Sequence, residues 1–270
     1  VLIDDYLALA AQQKPISITP DWGQGHTTFG GLSAALVLRA IDTQVPDERI
    51  LRSVLVNFSG ALRTEQECHL STEALSVGGS ISQYSGRALQ NDKTVCQLSA
   101  CYGIERDSGL ELRPEPPQLP DPEQGQRFGY LAGITPAFVQ HIDFIYSSGG
   151  LPFSNSPHNH ISGWMRFSEP PATFGNAHLV ALIDAWPPTV IQKLKRPCPC
   201  ATVTWSLELA YPLSLLEQPL DGSEWLYYDA SIRMAHHGYA HTEAMIYHPD
   251  GHLLALSSQL IAVYDKKNSP

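Results

Sequence analysis

The sequence predicts an α+β chain built from two similar units, each an antiparallel sheet with one long helix against it. Three observations carry this expectation. The same order of elements, a helix and then four strand-like segments, occurs twice along the chain. A proline-rich stretch separates the two copies, with Pro114, Pro116, Pro117, Pro120 and Pro122 alternating with acidic residues. The helix of the second copy is apolar in nearly every direction around its axis, so it should be enclosed by the sheet.

In the first copy, Gly30-Gly31 opens an Ala/Leu-rich helical run over 32–42. Strand-like segments follow at 50–61, 68–77, 81–90 and 94–104, the last pair joined by the turn Gln90-Asn91-Asp92-Lys93. Repeated prolines then deny donors to any sheet and stiffen the chain toward polyproline II, which suits a spacer. The units are set at 1–113 and 138–270, with the linker at 114–137. In the second copy a helix starting at Asn176 is stopped by Pro187-Pro188. Strand-like segments follow at 201–212, 225–235, 239–247 and, after the turn His248-Pro249-Asp250-Gly251, at 252–264.

Composition narrows the function. With 270 residues, 43% of them hydrophobic and 16% charged, the chain can bury a core and is not disordered. Its 17 Lys+Arg against 27 Asp+Glu give a net charge of −10, which argues against nucleic-acid binding. No apolar stretch is long enough to span a bilayer, and the N-terminus lacks the basic region of a signal peptide, so the expected location is the cytoplasm. The five cysteines read as reduced thiols; Cys198-Pro-Cys200 is too short and isolated for a zinc half-site. The clusters His158-Asn159-His160 and His236 to His241 read as solvated turns, so no metal and no cofactor are expected.

Asp184 stands out because a carboxylate in an apolar helix costs several kcal/mol of desolvation unless paired, hydrogen-bonded or protonated. A place at the solvated C-terminal end of the helix would set its charge against the helix dipole. Alternation puts Gln259 on one strand face with Ala255, Ser257, Ile261 and Val263, where its amide needs partners. Thr202, Thr204 and Ser206 are expected on one face of their strand, with Val203, Trp205 and Leu207 on the other. Gly30-Gly31 would let a ligand approach the N–H groups of a helix start, or would serve only as a tight turn. Gly31-Leu32-Ser33-Ala34-Ala35 half matches a nucleophile elbow, but one helix per unit does not suit an α/β-hydrolase.

Several of these segments resemble the acyl-CoA thioesterase II (TesB-like) family: Phe29-Gly30-Gly31 before the first helix, the run 182–188, Ala201-Thr202-Val203, the stretch 224–228 and the ending 250–259. The resemblance implies a double hotdog, two antiparallel sheets each wrapped around a central helix. It further implies hydrolysis of acyl-CoA without metal or covalent intermediate, with Asp184, Thr202 and Gln259 holding the attacking water and Gly30-Gly31 offering a backbone N–H to the thioester carbonyl. The segment between Asp184 and Thr202 is shorter than in better-known members, which leaves Thr204 as the fallback. Lys193, Lys195 and Arg196 are candidates for the anionic CoA, and a homodimer or homotetramer is expected from edge-to-edge sheet extension. The competing readings are a non-catalytic acyl-CoA or acyl-carrier binding protein and a hotdog hydratase or dehydratase. No His follows Asp184 closely enough to favour the latter.

Overall fold

The computed structural model describes residues 1–265. Helix α1 (Ile3–Ala11) and short strands β1 (Ile16–Ser17), β2 (Gly23–Gln24) and β3 (Thr27–Thr28) lead into the long helix α2 (Gly30–Asp42). Strands β4 (Ile50–Phe58), β5 (Glu67–Val77), β6 (Ile81–Gln90) and β7 (Lys93–Gly103) complete the first half. The second half contains β8 (Gln126–Phe128), β9 (Ile142–Ser148), β10 (His160–Phe167), α3 (Asn176–Ile183), β11 (Cys200–Leu209), β12 (Leu226–His236), β13 (Tyr239–Tyr247) and β14 (Leu253–Val263). The repeated pattern of a helix followed by four strands is therefore present, while α1, β9 and β10 lie outside the segments read from sequence.

The two expected sheets are one. Twelve strands run in the order β1-β5-β6-β7-β4-β11-β14-β13-β12-β10-β9-β8, joined at the centre by antiparallel pairing of β4 with β11, from Thr204 opposite Asn57 to Glu208 opposite Ser53. Separate sheets would each leave a long edge strand with unpaired N–H and C=O groups; pairing β4 with β11 removes both edges. The linker also differs from a bare spacer. Its residues 126–128 form the edge strand β8 on β9, Leu119 packs against Ile145, Trp164 and Tyr227, and Trp164 Nε1 donates to the Pro120 carbonyl at 3.2 Å.

Apolar side chains all round α2 and α3 need cover on every side, and the two helices supply part of it to each other. Residues 31–38 of α2 and 177–183 of α3 are buried, and both helices belong to one hydrophobic core that runs through both halves. At about 1.5–3 kcal/mol per fully buried Leu, Ile or Val, residues such as Leu32, Leu36 and Ile41 make this shared seam a main source of stability. The far end of α2 is tied to the sheet by Tyr102, whose hydroxyl donates to Asp42 at 2.5 Å. The N-terminal segment crosses to the second half. Asp4 bonds His178 of α3 at 2.8 Å, Asp21 bonds His141 at 3.0 Å, and Trp22 stacks on the His141 ring at 4.1 Å. None of the described helices is long and apolar enough to cross a membrane.

Candidate active site

Asp184 is the C-cap of α3, and its carboxylate is turned toward the first turn of α2. The nearby Gly31 N–H favours its charge, and Gln259 Nε2 of β14 donates to Oδ1 at 2.8 Å. A carboxylate at the negative end of its own helix is thus placed against the positive end of another, from the opposite half of the chain. Phe29, the N-cap residue of α2, offers no side-chain acceptor to the first turn.

Sterics explain the glycine pair. A Cβ on Gly30 would lie 2.8 Å from Asp184 Oδ2, and one on Gly31 would lie 2.5 Å from the Ala181 carbonyl oxygen in α3. Only glycine lets the two helix ends meet this closely. The glycine pair expected to face a substrate carbonyl thus lies directly beside the Asp184 carboxylate.

The immediate surroundings come from both halves. Phe58 of β4 approaches the Gly30 position, and its cross-strand partner on β7 is the buried Cys96. Burial, with a further contribution from the Asp184 charge, pushes the Cys96 thiol up to about 12, so it stays neutral and is a poor nucleophile. From β12, Tyr228 is buried with its hydroxyl in electrostatic reach of Asp184, and its pKa is raised by burial and by that charge. Tyr228 stacks on Trp186 at 5.3 Å. Burial is the largest influence on Asp184 itself and raises it from the ordinary 3.8 to about 7, against the lowering effect of its Gln259 bond and the nearby Gly31 N–H. Cys96 gave no sequence signal of its own, because it reaches the site only through pairing between distant strands.

The threonines are divided by a bulge. Thr202 pairs with Ile261 and Trp205 pairs with Gln259, but the register shifts between Thr202 and Thr204. Directly opposed residues share a sheet face, so Thr202 lies on the inner face with Gln259, Ile261 and Trp205. Thr204 pairs with Leu260 and is exposed on the other face. The strict alternation expected from sequence, with both threonines together and Trp205 opposite, is corrected by this single extra residue. Trp205 is anchored on the inner face by its Nε1 bond to Ser257 Oγ at 2.9 Å. Thr202 makes no hydrogen bond to Asp184 or Gln259.

The remaining candidates separate cleanly. Ser33 is buried and its Oγ donates to the Phe29 carbonyl at 3.2 Å at the start of its own helix, a back-bond rather than a contact with a base. Lys193 Nζ is held by the Pro157 carbonyl and Asn159 Oδ1, each at 3.0 Å, whereas Lys195 and Arg196 are exposed in the loop leading to β11. His158, His160, His236, His237 and His241 are exposed, as a solvated role requires.

A carboxylic acid with its pKa raised toward 7 and its carboxylate held by an amide is equipped to orient a water molecule and accept its proton. Comparison with known proteins gives a consistent picture. Residues 18–103 match the family model described as the acyl-CoA thioesterase N-terminal domain, and residues 112–263 match that of the acyl-CoA thioesterase C-terminal domain. A hotdog-fold protein of unknown function from Alicyclobacillus acidocaldarius is 24% identical, with a TM-score of 0.81 over 94% of this chain and 93% of that one. The acyl-CoA thioesterase II TesB2 of Mycobacterium marinum is 17% identical, with a TM-score of 0.72 over 94% of each chain. The TesB protein of Mycobacterium avium subspecies paratuberculosis is 18% identical, with a TM-score of 0.73 over 96% of this chain and 98% of that one. These structures establish a hotdog fold. No curated protein matches the chain.

Proposed function

The chain belongs to the acyl-CoA thioesterase family, and from that premise we propose that it hydrolyses an acyl-CoA thioester to the free acid and CoA by direct attack of water held by Asp184, Gln259 and Thr202. The observation that carries this reading is the Gln259 Nε2 to Asp184 Oδ1 bond of 2.8 Å beside the start of α2. Asp184 takes a proton from the water as the water oxygen attacks the carbonyl carbon, forming a tetrahedral oxyanion. The C–S bond then breaks and the proton passes from Asp184 to the departing sulfur. The N–H groups at the start of α2, beside Asp184, meet the negative charge that develops on the carbonyl oxygen. Thr202 is the third water ligand because it shares the Gln259 face, and exposed Lys195 and Arg196 are the proposed hold on the CoA phosphates.

Release of free CoA thiol from short, medium, long and aromatic acyl-CoAs, by wild type and Asp184→Asn, tests this reading. Turnover of at least one substrate is expected, with severe loss in the variant. No turnover across the range, as a non-catalytic acyl-binding protein would give, or equal turnover by the variant, overturns it.

A further inference from the structure

Far along the chain from Asp184, the turn between β13 and β14 brings three ligand atoms together. His248 Nδ1 lies 2.7 Å from Asp250 Oδ1, His252 Nδ1 lies 2.8 Å from the same oxygen, and all three atoms are within 4.8 Å of one another. We infer that this His-Pro-Asp-Gly-His turn is a binding site for a zinc-class divalent cation.

Two features favour a ligand over a turn fastened only by its own contacts. The His252 Nδ1 is buried and makes no hydrogen bond, despite its closeness to the carboxylate. Among the described residues, the Asp250 N–H makes only a long 3.4 Å contact with His248 Nδ1. Both imidazoles turn Nδ1 toward the same carboxylate oxygen. Two imidazoles and one carboxylate make a donor set suited to Zn²⁺, Co²⁺, Ni²⁺ or Cu²⁺ rather than to the all-oxygen preference of Mg²⁺ or Ca²⁺.

The backbone holds these side chains in place before any ion arrives. The His248 N–H donates to the His252 carbonyl at 2.9 Å, the Gly251 N–H to the His248 carbonyl at 2.8 Å, and the His252 N–H to Asp250 Oδ1 at 3.0 Å. Gly251 sits at φ +92°, a conformation that favours glycine, and the His252 ring packs at 5.2 Å from Tyr211. A tetrahedral zinc site spaces its ligand atoms roughly 3.3 Å apart, so an ion needs only a small opening of the present cluster. A Cβ at Gly251 would touch Pro116, which places the linker directly over this turn. The bound ion would fasten the turn on which the linker rests, and it takes no part in the hydrolysis proposed above.

The test uses the whole chain with Zn²⁺ as the added metal, read by calorimetric titration and by thermal melting. Wild type is expected to bind one saturable equivalent and to melt at a higher temperature with the ion. His252→Ala and Asp250→Asn are expected to weaken binding by more than the roughly ten-fold typical of losing an outer-shell partner, and to lose the melting shift. A triple variant of the exposed cluster, His236→Ala, His237→Ala and His241→Ala, is expected to retain both. Absence of saturable binding, binding unchanged in His252→Ala, or binding lost in the triple variant overturns the site. Where the turn variants melt too early to titrate, Co²⁺ added to wild type decides: intense visible bands of a low-coordinate nitrogen and oxygen site support it, and the pale spectrum of an octahedral ion overturns it.

Discussion

Replacing Asp184 by Asn should separate activity from stability. The variant keeps the side-chain shape and removes the charge. Loss of a general base lowers kcat by about 10²- to 10⁴-fold. Stability should move the other way. Burial raises the folded-state pKa of this carboxyl from 3.8 to about 7, so in the pH interval between them the folded protein binds the proton and the unfolded chain does not. Stability contributed at this position therefore falls as pH rises from about 4 to about 7, and the ionised group costs the folded state on the order of 4 kcal/mol at pH 8. An amide offers one acceptor oxygen where the carboxylate beside Gln259 offers two, which subtracts about 1 kcal/mol from the gain. The Asn protein should thus be on the order of 2–3 kcal/mol more stable at pH 8 and show little advantage near pH 4. Urea unfolding of both proteins at several pH values, beside CoA-release kinetics, measures each part. A variant less stable than wild type at pH 8 would refute the electrostatic reasoning, and undiminished turnover would refute the role of base.

Three further outcomes follow from the same geometry. Gln259→Leu removes the side-chain bond that lowers the Asp184 pKa, so the rising limb of the pH–rate profile should shift to higher pH; a shift to lower pH contradicts the pairing. Thr202→Val should reduce turnover about ten-fold or more, whereas Thr204→Val, on the exposed face, should stay close to wild type. Steady-state kinetics of the two variants would expose an error in the bulge assignment by reversing that order. Gly31→Ala meets a backbone carbonyl that cannot easily yield and should lower stability by about 2 kcal/mol or more, while Gly30→Ala displaces the Asp184 carboxylate and should damage turnover more than melting temperature.

Much of this protein is written locally. The 3.6-residue spacing and apolar surface of 176–183 announce an enclosed helix, and strand alternation marks Ser257, Gln259 and Ile261 as one face. Asp184 is conspicuous because a charge in such a helix demands compensation. Segments with weak local signals were harder to see. Strand β8 is too short to announce itself inside a proline-rich stretch, and β9 and β10 precede the helix that anchors the repeat.

What compensates Asp184 is decided only in three dimensions. Its neighbours lie on α2 and β14, and the start of α2 and the Gln259 amide meet it because α2 and α3 pack side by side within one core. The choice between Thr202 and Thr204 turns on a one-residue register shift, which reverses the side-chain face yet leaves no mark in composition or periodicity. Fusion of the two expected sheets likewise depends on β4 meeting β11, a pairing between strands of separate repeats. The sequence by itself determined the two-copy architecture, the enclosed helix and the carboxylate that calls for a partner, since each arises from neighbours along the chain. Tertiary structure alone determined which groups partner it, which threonine faces them and how the sheets join, because these rest on contacts between residues far apart in sequence.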